Sequence, residues 1–432
     1  MARIRPFAAW RYAGLGSNLS SVVAPPYDVV TPEQRDALLA RDARNVVALE
    51  LPEGPLDPAV PGNRYERGRE TWDRWRRQGD LAQDERPAIY VLEQTYRLGD
   101  REVRRKAFIV ETGLEPFDAG VVLPHERTLP KALGDRFELI RATGANFSQV
   151  FGLFDDPDCI SDRLFATVMS TAPDSEAVDD DGVVSRVWVS DNAEIIESLA
   201  EQLKEARIFI ADGHHRYTTA LAYRDLRRRE AGEDVAAPPG AAAYDYVMMA
   251  LVNMDDPDLV VLPTHRVADA PGEFDAAQFK EALRRHFLLE ELPGHPNDAL
   301  DNIEVPSFIF KTTSDDRPLL ARLRGDVDLD IAIPGDMSQG WKSLDVAVLQ
   351  ELVLNPLLDI HPDRPETLDR LSFVKDAHAA LKATAQHDVA FVLRSTRMDQ
   401  LRAVALAGET MPQKSTYFYP KLLSGLVLRS AE

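Results

Sequence analysis

A single cysteine, Cys159, is all that 432 residues hold, so no disulfide can close within the chain and no thiolate cluster for zinc or iron–sulfur can be built. Such cysteine usage fits the reducing cytoplasm, which is the expected location. Equally missing is any run of about 18 uncharged apolar residues, and the opening MARIRPFAAWRYAGLGSNLS lacks the apolar stretch of a secretory leader. Neither a membrane span nor secretion is expected. Positive charge is scarce too: 50 Lys and Arg against 71 Asp and Glu leave a net charge of −21. A surface this acidic repels phosphate backbones and anionic lipid headgroups, so neither nucleic acid nor a membrane is an expected partner. No internal repeat or low-complexity tract is present, which removes solenoids and propellers. What remains, 44% hydrophobic and 28% charged residues, is the composition of an ordinary globular protein of two or three domains, with no signature of a particular oligomeric state.

Along the chain, residues 1–118 read as an α+β region. Thr31-Pro32-Glu33 is a helix start, a second helix is expected from Asn63 to Gln78, and Gly99-Asp100 turn a hairpin over residues 88–98 and 103–112. The arginines of the second helix are its solvated face, with Tyr65, Trp72 and Trp75 turned inward. Residues 119–232 alternate strands and helices, with a helix over 135–143, a strand over 147–154, an inserted helix in the acidic stretch 155–182, and the apolar strand Ile208-Phe209-Ile210-Ala211 just before a helix running to about Arg229. An Ala, Pro and Gly linker at 231–243 separates a C-terminal α/β region, 244–432, with strands at 246–253, 259–263 and 389–393 and helices at 274–287 and 344–354. The expected fold class is mixed α+β and α/β.

The strongest chemical signal is Asp212-Gly213-His214-His215-Arg216-Tyr217, where the buried strand ends and the helix begins. Ligands of open α/β sheets bind outside the carboxyl ends of strands, and a helix N-terminus presents N–H groups with partial positive charge. Gly213 permits a tight turn or close approach of an anion, and the Arg216 fork matches a phosphate. Three polar or cationic residues in the first turn oppose the helix dipole, an arrangement easier to understand if an anion sits there. A purely structural turn with Asp212 as N-cap, and metal ligation by His214 and His215, are the alternatives.

A second constellation is Pro124-His125-Glu126-Arg127-Thr128, with Lys131, Arg136 and Arg141 following. Glu126 among these cations stays ionised, as a general base toward an alcohol requires, although an exposed loop of mixed charge is an equally simple reading. Third, Lys414-Ser415-Thr416 resembles the end of a phosphate loop but lacks its upstream glycine, so these residues either lend donors to a site built elsewhere or belong to a structural aromatic loop with Tyr417, Phe418 and Tyr419. Thr264-His265-Arg266, after the strand VVLP, is a weaker echo of that signal, and a satisfied core or rim histidine at His265 is the simpler account. Zinc-protease, nucleophile-elbow, dinucleotide and EF-hand motifs are missing.

Taken together, APPYDVV, LPHERTL, RATGANFSQVFGLF, IADGHHRYTTA, LPTHR and MPQKSTYFYPKLLSGL make the chain resemble, over nearly its full length, a bacterial and archaeal family called domain of unknown function 1015. Its central part is similar to the ParB and sulfiredoxin superfamily, whose nucleotide-binding members include kinases of free L-serine. This resemblance implies a ParB/sulfiredoxin-like core carrying additional α+β regions at either end. It also implies that Glu126 takes the proton of the substrate hydroxyl, and that Asp212, Gly213, His214, His215 and Arg216 hold the donor phosphates, Asp212 beside Mg²⁺. His125, Arg127, Lys131, Lys414, Ser415 and Thr416 are the further phosphate-binding candidates. The expected function is therefore that of a phosphotransferase acting on L-serine or a similar hydroxyl compound, with ATP, ADP or pyrophosphate as donor. A non-catalytic nucleotide-binding regulator is the alternative, and a metal-dependent hydrolase using His125, His214 and His215 a minor one.

Overall fold

The computed structural model describes residues 2–126, 130–292, 294–296 and 298–432, and for residues 130–132 the backbone alone. The chain forms two compact units, one of residues 1–124, 128–260 and 420–432, the other of residues 125–127 and 261–419. Helices and strands mix in both, as the composition and periodicity require. No helix among the described residues is long and apolar enough to cross a membrane.

In the first unit, nine strands among the described residues form one mixed sheet. Its order is Val122–Leu123, Ile208–Asp212, Val150–Phe154, Tyr246–Asn253, Arg101–Gly113, Ile89–Leu98, Val184–Ser190 and Ser175–Val178, with Ile4–Arg5 also paired to Arg101–Gly113. Ile208–Asp212 runs parallel to Val122–Leu123 and antiparallel to Val150–Phe154. Fully apolar strands such as Ile208-Phe209-Ile210 need cover on both faces, and a core of Val91, Phe108, Val150, Ile208, Ile210 and Leu251 packs with Leu199 and Leu203 of the helix Ala193–Lys204 and with Tyr217 and Ala220 of the helix His214–Ala231. The expected hairpin is present as Ile89–Leu98 and Arg101–Gly113, and its strands sit in this same sheet.

Local signals mark the first unit's helices well. Thr31 and Gln34 close a capping box on Pro32–Arg41, Asn63 caps Arg64–Gln78, and that helix buries Tyr65, Trp72 and Trp75. The helix expected from Asp135 starts earlier, at Pro130, and the acidic stretch holds the helix Ile160–Val168.

The second unit departs further from the sequence reading. Six strands among the described residues form an antiparallel sheet in the order Phe287–Glu291, Leu319–Leu323, Ser307–Thr312, Val389–Val392, His265–Ala268 and Leu371–Val374. The helix expected over 274–287 is shorter, Ala276–Leu283, because Phe287 begins a strand that pairs with Leu319–Leu323. The helix expected over 344–354 is α-helical only at Asp345–Leu349; Gln350–Leu354 widens to a π-helix and Asn355–Leu358 resumes the α form.

Candidate functional site

The Asp212 turn lies in the first unit. Strand Ile208–Asp212 has a register irregularity against Val150–Phe154 just before Asp212, and only Gly213 separates it from the helix His214–Ala231. The N-cap is Gly213, at φ 88, so Asp212 is not the plain N-cap of the structural alternative; it is the last residue of the strand. A left-handed glycine cap has no side chain for the first-turn amides, and the helix has no side-chain cap there. The 18-residue helix thus aims the positive end of its dipole at the turn without the usual Ser, Thr, Asp or Asn oxygen.

Two cations converge on Asp212. Arg216 folds back one turn and donates from Nη2 to Oδ2 at 2.9 Å, while Lys421 donates from Nζ to Oδ1 at 3.0 Å. Arg216 Nη1 also donates to the carbonyl of Gln149. Its Nε is buried with no hydrogen-bond partner, as is Oε1 of the fully buried Gln149. A guanidinium N–H left unpaired in the interior is costly.

Lys421 is held in place through its backbone. Buried Arg105 donates to the carbonyl of Pro420 and to Gln94 Oε1, and Gln94 Nε2 donates to the carbonyl of Lys421 at 3.2 Å. Arg105 lies 4.8 Å from the centre of the Phe151 ring. Burial pulls its pKa down to about 10, opposed by the negative charges of Asp256 and Asp212 and by Tyr96, so it remains a cation at neutral pH. On the other side of Arg216 lies a small cavity of about 40 Å³ whose lining includes Glu50, Arg136, Ser148 and Arg216. Glu50 pairs with Arg136 at 3.1 Å, both almost wholly buried, and leaves its Oε1 without a partner. The guanidinium of Arg136 stacks on Tyr27 at 4.1 Å. Burial raises the Tyr27 phenol to about 12 against the pull of Arg136 and Arg216.

Gly213 is intolerant of change on two counts. Its φ lies in the left-handed region, and a Cβ there would sit 2.8 Å from Arg216 Nε. Gly213→Ala is expected to cost about 1–2 kcal/mol in strain and to push the guanidinium off Asp212. Denaturant unfolding measures the first and titration with pyrophosphate the second.

His125, Glu126, Lys414, Ser415 and Thr416 lie in the second unit with Arg266. His125 is fully buried, with Nε2 2.9 Å from Thr416 Oγ1 and its ring edge-on to Phe418 at 6.2 Å between centres. The Met411 N–H donates to the His125 carbonyl, and Glu126 bridges to Met411 as an isolated β-pair. Ser415 donates to the Pro412 carbonyl, and Lys414 takes a positive φ of 54. Arg266, fully buried, donates to the carbonyls of Thr264, Gln413 and Lys414. Burial lowers its pKa to about 10, opposed by the charge of Glu126. His125 and Glu126 thus share one unit with the LPTHR and MPQKST segments, while ADGHHR, the Gln149 segment, APPYD and Lys421 share the other. Arg127 and the side chain of Lys131 lie outside the described residues.

His265 is a satisfied core histidine, as read from the sequence. Its Nδ1 accepts from the Leu393 N–H at 3.2 Å, and burial first, then Arg266, lowers its pKa to about 4. With the folded value below the unfolded 6.5, the contribution to stability is complete above about pH 6.5 and is lost as pH falls toward 4. The loss is on the order of 3 kcal/mol. His265→Asn, which keeps an acceptor near the Nδ1 position, is expected to flatten that acid limb in denaturant melts taken between these pH values.

Among the described residues no group of three His, Cys, Asp or Glu side chains could hold a metal ion, which leaves the hydrolase reading without a ligand set there. Asp212 alone, with both oxygens held by cations, is not a self-sufficient Mg²⁺ site. Sequence reasoning missed Lys421, Arg105, Gln149, Glu50 and Tyr27. The PKL that follows the Lys414 loop was the one available signal for Lys421.

Comparison with solved structures finds a free serine kinase variant in complex with ADP, 12% identical, covering 74% of this chain and 92% of that chain at TM-score 0.35. It also finds a conserved hypothetical protein from Pyrococcus furiosus, 13% identical, covering 73% and 93% at TM-score 0.33. SbnI with a C-terminal truncation from Staphylococcus aureus is 12% identical, covering 73% and 85% at TM-score 0.35. No curated protein matches the chain. Residues 4–398 match the family described as "Protein of unknown function (DUF1015)", and the chain belongs to that family.

Proposed function

We propose that the protein is a small-molecule phosphotransferase that holds a nucleotide or pyrophosphate donor at the Asp212–Arg216 turn and phosphorylates the hydroxyl of free L-serine. The observation that carries the reading is the meeting of Arg216 and Lys421 on Asp212, at a glycine-started helix N-terminus with a buried, unpartnered guanidinium N–H. Donor phosphates would take the first-turn amides, Arg216 and Lys421, with His214 and His215 beside them. Asp212 would be the residue that holds a donor-bound Mg²⁺, which would supply charge neutralisation.

In the proposed reaction the serine oxygen attacks the terminal phosphorus, and the bond from that phosphorus to the bridging oxygen breaks. The hydroxyl proton passes to a general base, for which the sequence resemblance implies Glu126. The products are O-phospho-L-serine and the shortened donor: ADP from ATP, AMP from ADP, or phosphate from pyrophosphate. Phosphoryl transfer depends on positioning and charge neutralisation more than on covalent help, so two fixed cations and a helix terminus are suitable equipment.

The test is direct. Incubation of the protein with L-serine, Mg²⁺ and each donor in turn, followed by phosphorus NMR, is expected to yield phosphoserine with one of them; none with any donor would overturn the reading. A nucleotide-binding regulator is the second reading, favoured by the engagement of both Asp212 oxygens in the resting protein. It requires donor binding by calorimetry with no phosphoserine formed.

A further inference from the structure

The second unit contains a cavity that the proposed chemistry does not use. It has a volume of about 660 Å³, within the range of small-molecule sites. It lies at one end of the antiparallel sheet, where the strand Phe287–Glu291 ends, Leu319–Leu323 begins and Ser307–Thr312 reaches Lys311, beside the short helix Ala377–Lys382. Leu292, Leu319 and Leu381 supply an apolar wall. That wall continues the core of Ile309, Leu320 and Val392, against which Leu292 and Leu381 pack.

Its polar lining is unusual for this protein. Lys311, Arg317 and Lys382 line the cavity together with His378 and one carboxylate, Glu291. None of the three cations makes an ion pair among the described residues, whereas Lys280 and Arg322 of the same unit are paired with Asp315 and Glu290. In a chain of net charge −21, cations left unpaired around an apolar hollow form a local field that attracts a negative group and a surface that removes an apolar body from water.

We infer that this cavity is a second ligand site, independent of the Asp212 turn, for an organic monocarboxylate with an apolar body of about eight to twelve carbons. Burial of the hydrocarbon against Leu292, Leu319 and Leu381 supplies most of the affinity. Lys311, Arg317 and Lys382 receive the carboxylate at the rim and select charged over neutral ligands of the same shape.

Titration calorimetry of the full chain with decanoate, decanol and acetate tests this. Decanoate is expected to bind at least about tenfold more tightly than decanol and acetate. The double variant Lys311→Ala/Lys382→Ala should lose about tenfold in decanoate affinity while decanol is unaffected. Lys382 is exposed and Lys311 half-buried, and circular dichroism checks that the variant is folded. Added salt should weaken decanoate binding and spare decanol. Equal affinity for decanoate and decanol, or decanoate binding indifferent to the double variant, overturns the proposal. So does acetate binding as tightly as decanoate, because the apolar wall would then play no part.

Discussion

Glu126→Gln is expected to lower phosphoserine formation by roughly 10²–10⁴-fold, the usual worth of a positioned general base, while donor affinity measured by calorimetry stays within about twofold. Glutamine keeps the size and the β-bridge to Met411 but cannot take a proton. The substitution therefore separates chemistry from folding and from binding. Arg266 provides a control on that point, because it stands in the field of Glu126 and its pKa, drawn down to about 10 by burial, is opposed by that carboxylate. Removing the negative charge should slightly destabilise buried Arg266, a change visible in thermal melts and distinct from loss of turnover. Unchanged turnover in Glu126→Gln would remove this residue from the mechanism and leave the donor site standing.

The second large effect concerns Arg216. Arg216→Ala removes a fork that holds Asp212 at 2.9 Å and the Gln149 carbonyl and has a buried Nε–H to spare. A charge-assisted hydrogen bond is worth about 1.5–3 kcal/mol, so affinity for ADP or pyrophosphate is expected to fall by roughly 100-fold. Arg216→Lys should recover part of it, since a point charge cannot reproduce two parallel donors. Lys421→Ala should act in the same direction and more weakly, because Asp212 would retain its partner in Arg216. If pyrophosphate binds Arg216→Ala as well as the parent protein, the turn is not the donor site, whatever the outcome with Glu126.

Much of the first unit was legible because its signals are local. Thr31 and Gln34 cap a helix, Asn63 caps another, and Gly99-Asp100 turn a hairpin through interactions that span a few residues. The Asp-Gly-His-His-Arg turn was legible for the same reason: an apolar strand, a glycine and a run of donors are adjacent in the chain. The second unit was harder. Its strands pair with partners far away in sequence, so Phe287–Glu291 reads as the tail of a helix until Leu319–Leu323 is beside it. The backbone widening at Gln350–Leu354 is likewise a choice of packing that no periodicity announces.

Sequence alone determined that this chain builds no disulfide, places Gly213 at a strand-to-helix turn, and sets two histidines and an arginine right after it in a protein of net charge −21. Those conclusions rest on composition and nearest neighbours, which folding does not rearrange. Only the tertiary structure decided which distant groups join them. It brought Lys421 to Asp212, fixed by Arg105 and Gln94 on the neighbouring backbone, and left the Nε of Arg216 unpaired in the interior. It also buried His125, Thr416 and Arg266 in the second unit. Hydrogen bonds and burial between residues hundreds of positions apart arise from chain topology, and topology is a property of the whole fold that no local stretch of sequence contains.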